Sequence, residues 1–464
     1  MAKAHDIDVQ TFLDEQPFSP FQWLILGLCF LIVLLDGFDT AAIGYIAPSL
    51  VKEWGVTKPA LAPVLSAALF GLAAGALAAG PLADRFGRKR VLLVSVAVFG
   101  AGCLASSFAA DLDQLTLLRF VTGLGLGAAM PNAVTLVSEY CPERRRALIT
   151  NAMFCGFPLG AALGGFLAAW MIPNWGWRSV LALGGAIPLI LMVPLLLSLP
   201  ESVRYLVAKN AGVERIRAVL GRISASVADA TAFVMAEQVG RKASILGGPA
   251  AAPAPGGLRL VLSRSYVVAS LMLWVAYFMG LVMFYALINW MPILFKDAGV
   301  EAQRATLIAA MFPLGGVGAI VFGWLMDRFN ANRVIAAGYA FTAVAVYFIG
   351  QTAGNDGLLV LAVFVAGTLL NTAQASMPAL AAVFYPTPGR ATGVAWMLGV
   401  GRFGGIAGSF LIAELSRRHL GFDEIFMVVA VAGLVASAAV LVKQYTHPEK
   451  RRTGALVEID AVGH

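Results

Sequence analysis

Charge is scarce in this chain. Asp, Glu, Lys and Arg make up 13% of its 464 residues, against 59% hydrophobic residues. A soluble domain carries about twice that share of charge, so the composition excludes one and leaves a polytopic membrane protein. Cysteine is rare too. Cys29, Cys103, Cys141 and Cys155 lie in or at the ends of apolar runs without paired spacing, which argues against a disulfide framework or a zinc site. Histidine occurs only as His5, His419, His447 and His464, none inside an apolar run. A proton relay within the membrane therefore has to use carboxylates. There is no G-x-x-x-x-G-K-[ST] loop, which speaks against ATP as the energy source. No constellation of nucleophile, metal ligands or cofactor contacts stands out, so neither an enzyme nor a cofactor is expected. The first twenty residues are polar and mixed in charge, unlike a cleavable signal peptide. The net charge of +7 does not point to nucleic acid, because the basic residues sit in short loops between apolar segments.

What is present is a series of apolar segments of spanning length. Twelve are read, at 21–47, 61–82, 90–109, 115–137, 147–171, 178–199, 264–290, 304–326, 333–351, 357–381, 391–413 and 422–443. A polar stretch over 200–263, ending in the Pro/Ala/Gly-rich run Gly247–Gly257, reads as a linker. The expected organisation is an N-terminal segment 1–20, a six-helix bundle 21–199, the linker 200–263, a second bundle 264–443 and a tail 444–464. Lys and Arg concentrate in the loops that lie inside when both termini are cytoplasmic.

The halves repeat each other. Pro48, Lys52, Gly55 and Val56 recur as Pro292, Lys296, Gly299 and Val300. GPLADRFGRKR (Gly80–Arg90) recurs more weakly as GWLMDRFNANR (Gly323–Arg333). Met130-Pro131 recurs as Met377-Pro378, Tyr140 as Tyr385, Arg146 as Arg390, and Gly160 and Gly164 as Gly404 and Gly408. The copies run in the same sense, so the axis lies along the membrane normal and a site is expected between the halves. The fold class is thus an all-α membrane protein of twelve transmembrane helices in two parallel six-helix repeats.

Four deep charges break this symmetry. Asp36 and Asp39 correspond to Gly280 and Met283, Arg119 to Val363, and Arg402 to Pro158. A charge at bilayer depth costs about 3 kcal/mol even on lenient scales, so each addition to a shared scaffold is a functional candidate. Asp36 and Asp39 are three apart and share a helix face. At about 1.5 Å rise per residue, Asp36 lies about 22 Å from the inner end of its helix and Asp39 about 27 Å. Arg119 lies about 6 Å below the outer surface, a depth similar to Asp39, and Arg402 about 17 Å up, near the midplane. An acid beside a guanidinium stays ionised, whereas a proton carrier needs burial without a cation. Asp36 is therefore favoured as the proton site and Asp39–Arg119 as a pair that makes and breaks.

Arg402, flanked by Gly401, Gly404 and Gly405, is the candidate anchor for an anionic substrate, because a guanidinium holds a carboxylate through two parallel bonds. Asn371 and Gln374 share a face and suit either a substrate hydroxyl or a tie between helices. Tyr277, Phe284, Tyr285, Asn289 and Trp290 in the seventh segment, with Trp396 and Phe403 in the eleventh, offer an aromatic face for a flat substrate or ordinary membrane-helix packing. In the G-x-x-x-D-R-x-G-R-K motif, Asp84 and Arg88 are read as a latch on the inner side. Glu139 with Arg144–Arg146, and Arg390 within Tyr385–Gly393, are its expected partners. Gly156, Gly160 and Gly164, like Gly71 and Gly75, are spaced for close helix packing.

GPLADRFGRKR with its weaker second copy resembles the major facilitator superfamily, over about residues 20–445. PESVRYL after the sixth segment resembles a motif of sugar and organic ion porters. LLDGFDTAAIGYIAPSL, LRFVTGLGLGAAMPNA, SEYCPERRR and YPTPGRATG resemble the aromatic acid:proton symporter family, whose D-G-x-D motif matches Asp36 and Asp39. The resemblance implies proton-driven import of an aromatic carboxylate, such as 4-hydroxybenzoate, protocatechuate, gentisate or benzoate, across a bacterial cytoplasmic membrane by alternating access. It carries functional charged positions onto Asp36, Asp39, Asp84, Arg119, Glu139, Asp327, Arg390 and Arg402. Asn330 departs from the pattern set by Gly87, and KQYTHPEK lacks the ending of sugar porters. The expected partners are the small aromatic carboxylate, a proton and the lipid bilayer, with no nucleic acid and a monomeric chain.

Overall fold

The computed structural model describes residues 6–209, 211–228, 230–234, 258–318, 328–352, 354–385 and 387–447. A short strand β1 (Asp6–Asp8) leads into α1 (Val9–Glu15) and then α2 (Pro20–Trp54). The first half continues through α3 (Ala62–Phe86), α4 (Arg88–Ser106), α5 (Leu112–Glu139), α6 (Arg146–Phe154), α7 (Gly156–Trp175) and α8 (Trp177–Ser198). The polar stretch holds α9 (Val203–Ala208), α10 (Val213–Leu220), β2 (Ala232–Val234) and α11 (Leu258–Val261). The second half follows as α12 (Val267–Asp297), α13 (Ala302–Leu314), α14 (Ala331–Gln351), α15 (Asp356–Phe384), α16 (Thr387–Arg417) and α17 (Phe422–Thr446). Among the described residues, 11 helices are long and apolar enough to cross a membrane. Of the eighth segment, Ala302–Leu314 and the turn Gly315–Gly318 are described, while 319–327 lie outside the described residues. The architecture is the expected one of twelve membrane helices in two six-helix repeats.

Most helices outrun the apolar segments read from the sequence, because a helix needs no apolar side chains once it leaves the hydrocarbon. α2 is the clearest case, running to Trp54 rather than 47. Its start is set by a capping box between Ser19 and Gln22, and its end by Gly55 at φ 63°. Gly299, its repeat counterpart beyond α12, also has positive φ, at 93°. The segment at 147–171 is broken where α6 ends and α7 begins, at Cys155.

α2 is the central pillar. Every residue from Leu35 to Pro48 is buried, so it has no lipid-facing stripe in that stretch. Close approach sets its neighbours. A Cβ on Gly160 of α7 would sit 1.8 Å from the Leu34 carbonyl oxygen, so only glycine lets the two backbones meet. The halves touch at the face opposite the linker. There Lys58 pairs with Asp297, and Gly44 of α2 lies against the backbone of Ile288 and Asn289 in α12. Lower down, Gly165 of α7 meets the Ala310 Cβ of α13, and Pro158 packs on Gly316.

On the linker face, the N-terminal segment is structured. β1 pairs in parallel with β2, Asp6 opposite Ala232. α1 buries Val9, Phe12 and Leu13, and Asp14 Oδ1 accepts the Glu143 N–H at 2.6 Å. Gln10 Oε1 accepts from Arg146 at 2.9 Å and from Arg204 at 3.3 Å.

Candidate functional site

The four asymmetric charges fall into two groups. Arg119 of α5 grips Asp39 of α2 in a two-pronged contact, Nη1 to Oδ1 at 2.6 Å and Nη2 to Oδ2 at 2.8 Å. Nη2 also donates to the Asp39 carbonyl at 3.2 Å, and both side chains are fully buried. The equal depth expected from helix rise is realised as a pair. Cys103 of α4 adds a thiol contact to Asp39 Oδ1 at 3.1 Å. Nothing in the sequence marked Cys103, since a lone cysteine in an apolar run carries no spacing signal.

Asp36, one turn nearer the linker face, is 4% exposed. Its hydrogen bond is a long one, from Thr40 Oγ1 at 3.4 Å. Arg402 on α16 lies within electrostatic range of Asp36, and of Tyr277 and Tyr285 on α12. Among the described residues neither Asp36 nor Arg402 has an ion-pair partner, and Arg402 is only partly buried. Glycines make the space around it. The Tyr285 ring lies where a Cβ on Gly405 would be, and the Tyr277 ring does the same at Gly401. The candidate site between the halves thus brings an acid of one half within electrostatic range of a guanidinium of the other, beside two tyrosines of α12.

The expected polar contacts from α15 are committed elsewhere. Gln374 Oε1 accepts from Tyr339 at 2.6 Å, and Nε2 donates to the Tyr277 carbonyl at 3.2 Å. A Cβ on Gly280 would lie 1.9 Å from that Oε1, so the position matching Asp36 in the second half is emptied to let Gln374 reach α12. Asn371 Nδ2 donates to the carbonyls of Phe312 and Gly367 at 3.2 and 2.7 Å. Of the two readings of these amides, the geometry supports helix ties, made because buried amides need partners. Trp396 and Phe403, 44% and 59% exposed, fall on an exposed stripe of α16 with Phe410, and Trp396 stacks on Trp274 at 5.7 Å. Asn289 Nδ2 donates to Ser409 Oγ at 3.0 Å.

The latch motif is a helix–turn–helix. Asp84 lies inside α3 rather than beyond it, 73% exposed, and pairs with Arg88 at 3.0 Å. Arg88 also approaches Glu139 at 3.8 Å, and Glu139 accepts a short hydrogen bond from Ser202. The start of α4 is capped by Glu201, which accepts the Lys89 N–H at 3.1 Å, and not by Asp84. Gly87 allows this with φ 97°, where a Cβ would meet Glu201 Oε2 at 2.2 Å. Tyr205 donates to the Arg85 carbonyl at 3.1 Å. Arg144 and Arg145 are exposed, and Arg390 is exposed with Nε donating to the Tyr385 carbonyl at 3.4 Å. Asp327 lies outside the described residues. The described latch contacts are all made within one half, none across to the other.

Residues 29–320 and 273–458 match the family model described as Major Facilitator Superfamily. The chain belongs to the major facilitator superfamily. It is similar to the 4-hydroxybenzoate transporter of Pseudomonas aeruginosa, 50% identical over 94% of this chain and 96% of that protein. It is also similar to the gallate transporter of Pseudomonas putida, 45% identical over 97% of each. Among solved structures it resembles the xylose transporter of Escherichia coli in a partially occluded inward-open conformation, with TM-score 0.70 and 16% identity over 94% of this chain and 100% of that one. That likeness is one of fold. The chain is a multi-pass membrane transporter of this superfamily and not an enzyme.

Proposed function

We infer that this superfamily member imports an aromatic carboxylate together with a proton by alternating access. The observation that carries the reading is Arg402, a guanidinium without an ion-pair partner among the described residues, set within electrostatic range of a buried acid on the opposite half. A fixed cation left open between two moving bodies is a seat for an anion. The phenols of Tyr277 and Tyr285 beside it favour a flat ring over a sugar. The relatives named for 4-hydroxybenzoate and gallate support the same substrate class.

Asp36 and Asp39 divide the labour. Asp39 is neutralised by Arg119 and holds α2 against α5 where the halves are closed. Asp36 has Arg402 within electrostatic range but no guanidinium bonded to it, and takes the proton. Protonation removes the charge facing Arg402, and the substrate carboxylate then becomes the only anion the guanidinium meets. The loaded site is neutral overall, which permits the halves to rock past it. The linker face is assigned to the cytoplasm, with both termini, in a bacterial inner membrane. The contacts at the opposite face and the one-sided latch then fit a state open to the cytoplasm. The test is uptake of labelled 4-hydroxybenzoate into membrane vesicles with and without a protonophore. Accumulation that the protonophore abolishes is the expected result. Equilibration indifferent to the gradient indicates a uniporter, and binding without uptake indicates a receptor; either overturns the reading.

A further inference from the structure

This inference rests on the reading of Arg402 as the carboxylate anchor, and asks what recognises the far end of the ring. Asn289 lies one turn along α12 from Tyr285, with its Nδ2 donating to Ser409 Oγ at 3.0 Å. Ser409 spends its own proton on the Gly405 carbonyl at 3.4 Å. The Ser409 oxygen is therefore an acceptor here, and this fixes which way the Asn289 amide points. Asn289 Oδ1 is left facing away from that bond. Asn289 is 1% exposed, and Oδ1 has no hydrogen-bond partner. Buried acceptors of this kind are rare and mark a place where a donor is missing.

The position suits a substrate. Arg402 and Ser409 lie two turns apart on α16, about 10 Å along the helix. Along α12 and α16 the order is then Arg402, Tyr285 against Gly405, and Asn289 against Ser409, so a substrate held by its carboxylate at Arg402 with its ring beside Tyr285 would extend its opposite substituent toward Asn289. The backbone of Asn289 also abuts Gly44 of α2, so the open acceptor sits at the closed end of the site, where the halves meet.

We propose that Asn289 is the specificity residue of this transporter, its Oδ1 accepting a hydrogen bond from a ring hydroxyl placed opposite the substrate carboxylate. A site built around a hydroxyl donor discriminates strongly against an analogue lacking it, because the acceptor is then left empty. Fluorine is close to hydroxyl in size and cannot donate, so 4-fluorobenzoate is the discriminating probe.

The experiment is calorimetric binding of 4-hydroxybenzoate, 4-fluorobenzoate and benzoate to the purified full-length protein, comparing wild type, Asn289→Leu and Ser409→Ala. Wild type is expected to prefer 4-hydroxybenzoate over 4-fluorobenzoate by at least about 10-fold. In Asn289→Leu that ratio falls below about 3-fold, and in Ser409→Ala, where the amide is free to turn, it falls to an intermediate value. A melting curve checks that each variant is folded, and Ser409→Ala alone decides the matter if Asn289→Leu is not. A wild-type ratio near one, or a ratio that survives substitution, overturns the role of Asn289 while leaving the carboxylate reading intact. Failure of wild type to bind any of the three acids overturns both.

Discussion

Arg402 and Asp39 show how the same membrane environment makes one charge structural and leaves another open. Asp39 has two hydrogen bonds from Arg119 and a thiol contact from Cys103, so its cost of burial is offset within the protein. Asp39→Asn leaves Arg119 buried without its counter-charge, which costs about 3–5 kcal/mol. The purified variant is expected to melt well below wild type, and adding Arg119→Leu to recover much of the loss; equal melting of wild type and Asp39→Asn contradicts the account. Arg402 has no such partner among the described residues, so its substitution acts on the substrate instead. Arg402→Lys keeps the charge but loses the fork, and is expected to weaken binding of 4-hydroxybenzoate by at least about 10-fold in calorimetry with little change in melting. Unchanged affinity contradicts the anchor role.

The helices α2, α3 and α4 carry the lesson about what a sequence discloses. Their existence was legible from apolar length, and the Gly80–Arg90 motif from its pattern, though not that α3 runs on through Asp84 to Phe86. The Asp39–Arg119 pair was legible too, because rise per residue converts sequence position into depth. What was not legible was which partner takes which contact. Asp84 and Glu201 are both acids near the start of α4, and only the positive φ of Gly87 decides that Glu201 reaches it. The choice between substrate contact and helix tie for Gln374 was likewise hidden. It depends on the missing side chain at Gly280 and on Tyr339, residues far apart in the chain that no local pattern links. Gly87→Ala tests the capping account. It forces an alanine into φ 97° and against Glu201, a strain of about 1–3 kcal/mol. The expected result is a lowered melting temperature, more so than for an alanine at Gly80, which has open space around it. Equal effects contradict the account.

Across the whole molecule, two similar halves share a site that neither holds alone. On the reading proposed above, the first half brings the acids and the second the guanidinium and phenols, so the site exists only while the halves face each other. In that proposal the repeat scaffold supplies the motion, and the unshared charges supply its chemistry. The contact of Lys58 with Asp297 marks the closed face. Replacing both with cysteine and cross-linking them is expected to abolish uptake, and reduction to restore it. Uptake that continues through the cross-link contradicts alternating access at that face. The central claim is that Asp36 carries the proton that travels with the substrate. Its most direct measurement is simultaneous recording of interior pH and labelled 4-hydroxybenzoate in proteoliposomes under an imposed proton gradient. Wild type is expected to move both together and to concentrate the acid, while Asp36→Asn exchanges the acid without accumulating it or acidifying the interior. Accumulation by Asp36→Asn at the wild-type level contradicts the claim.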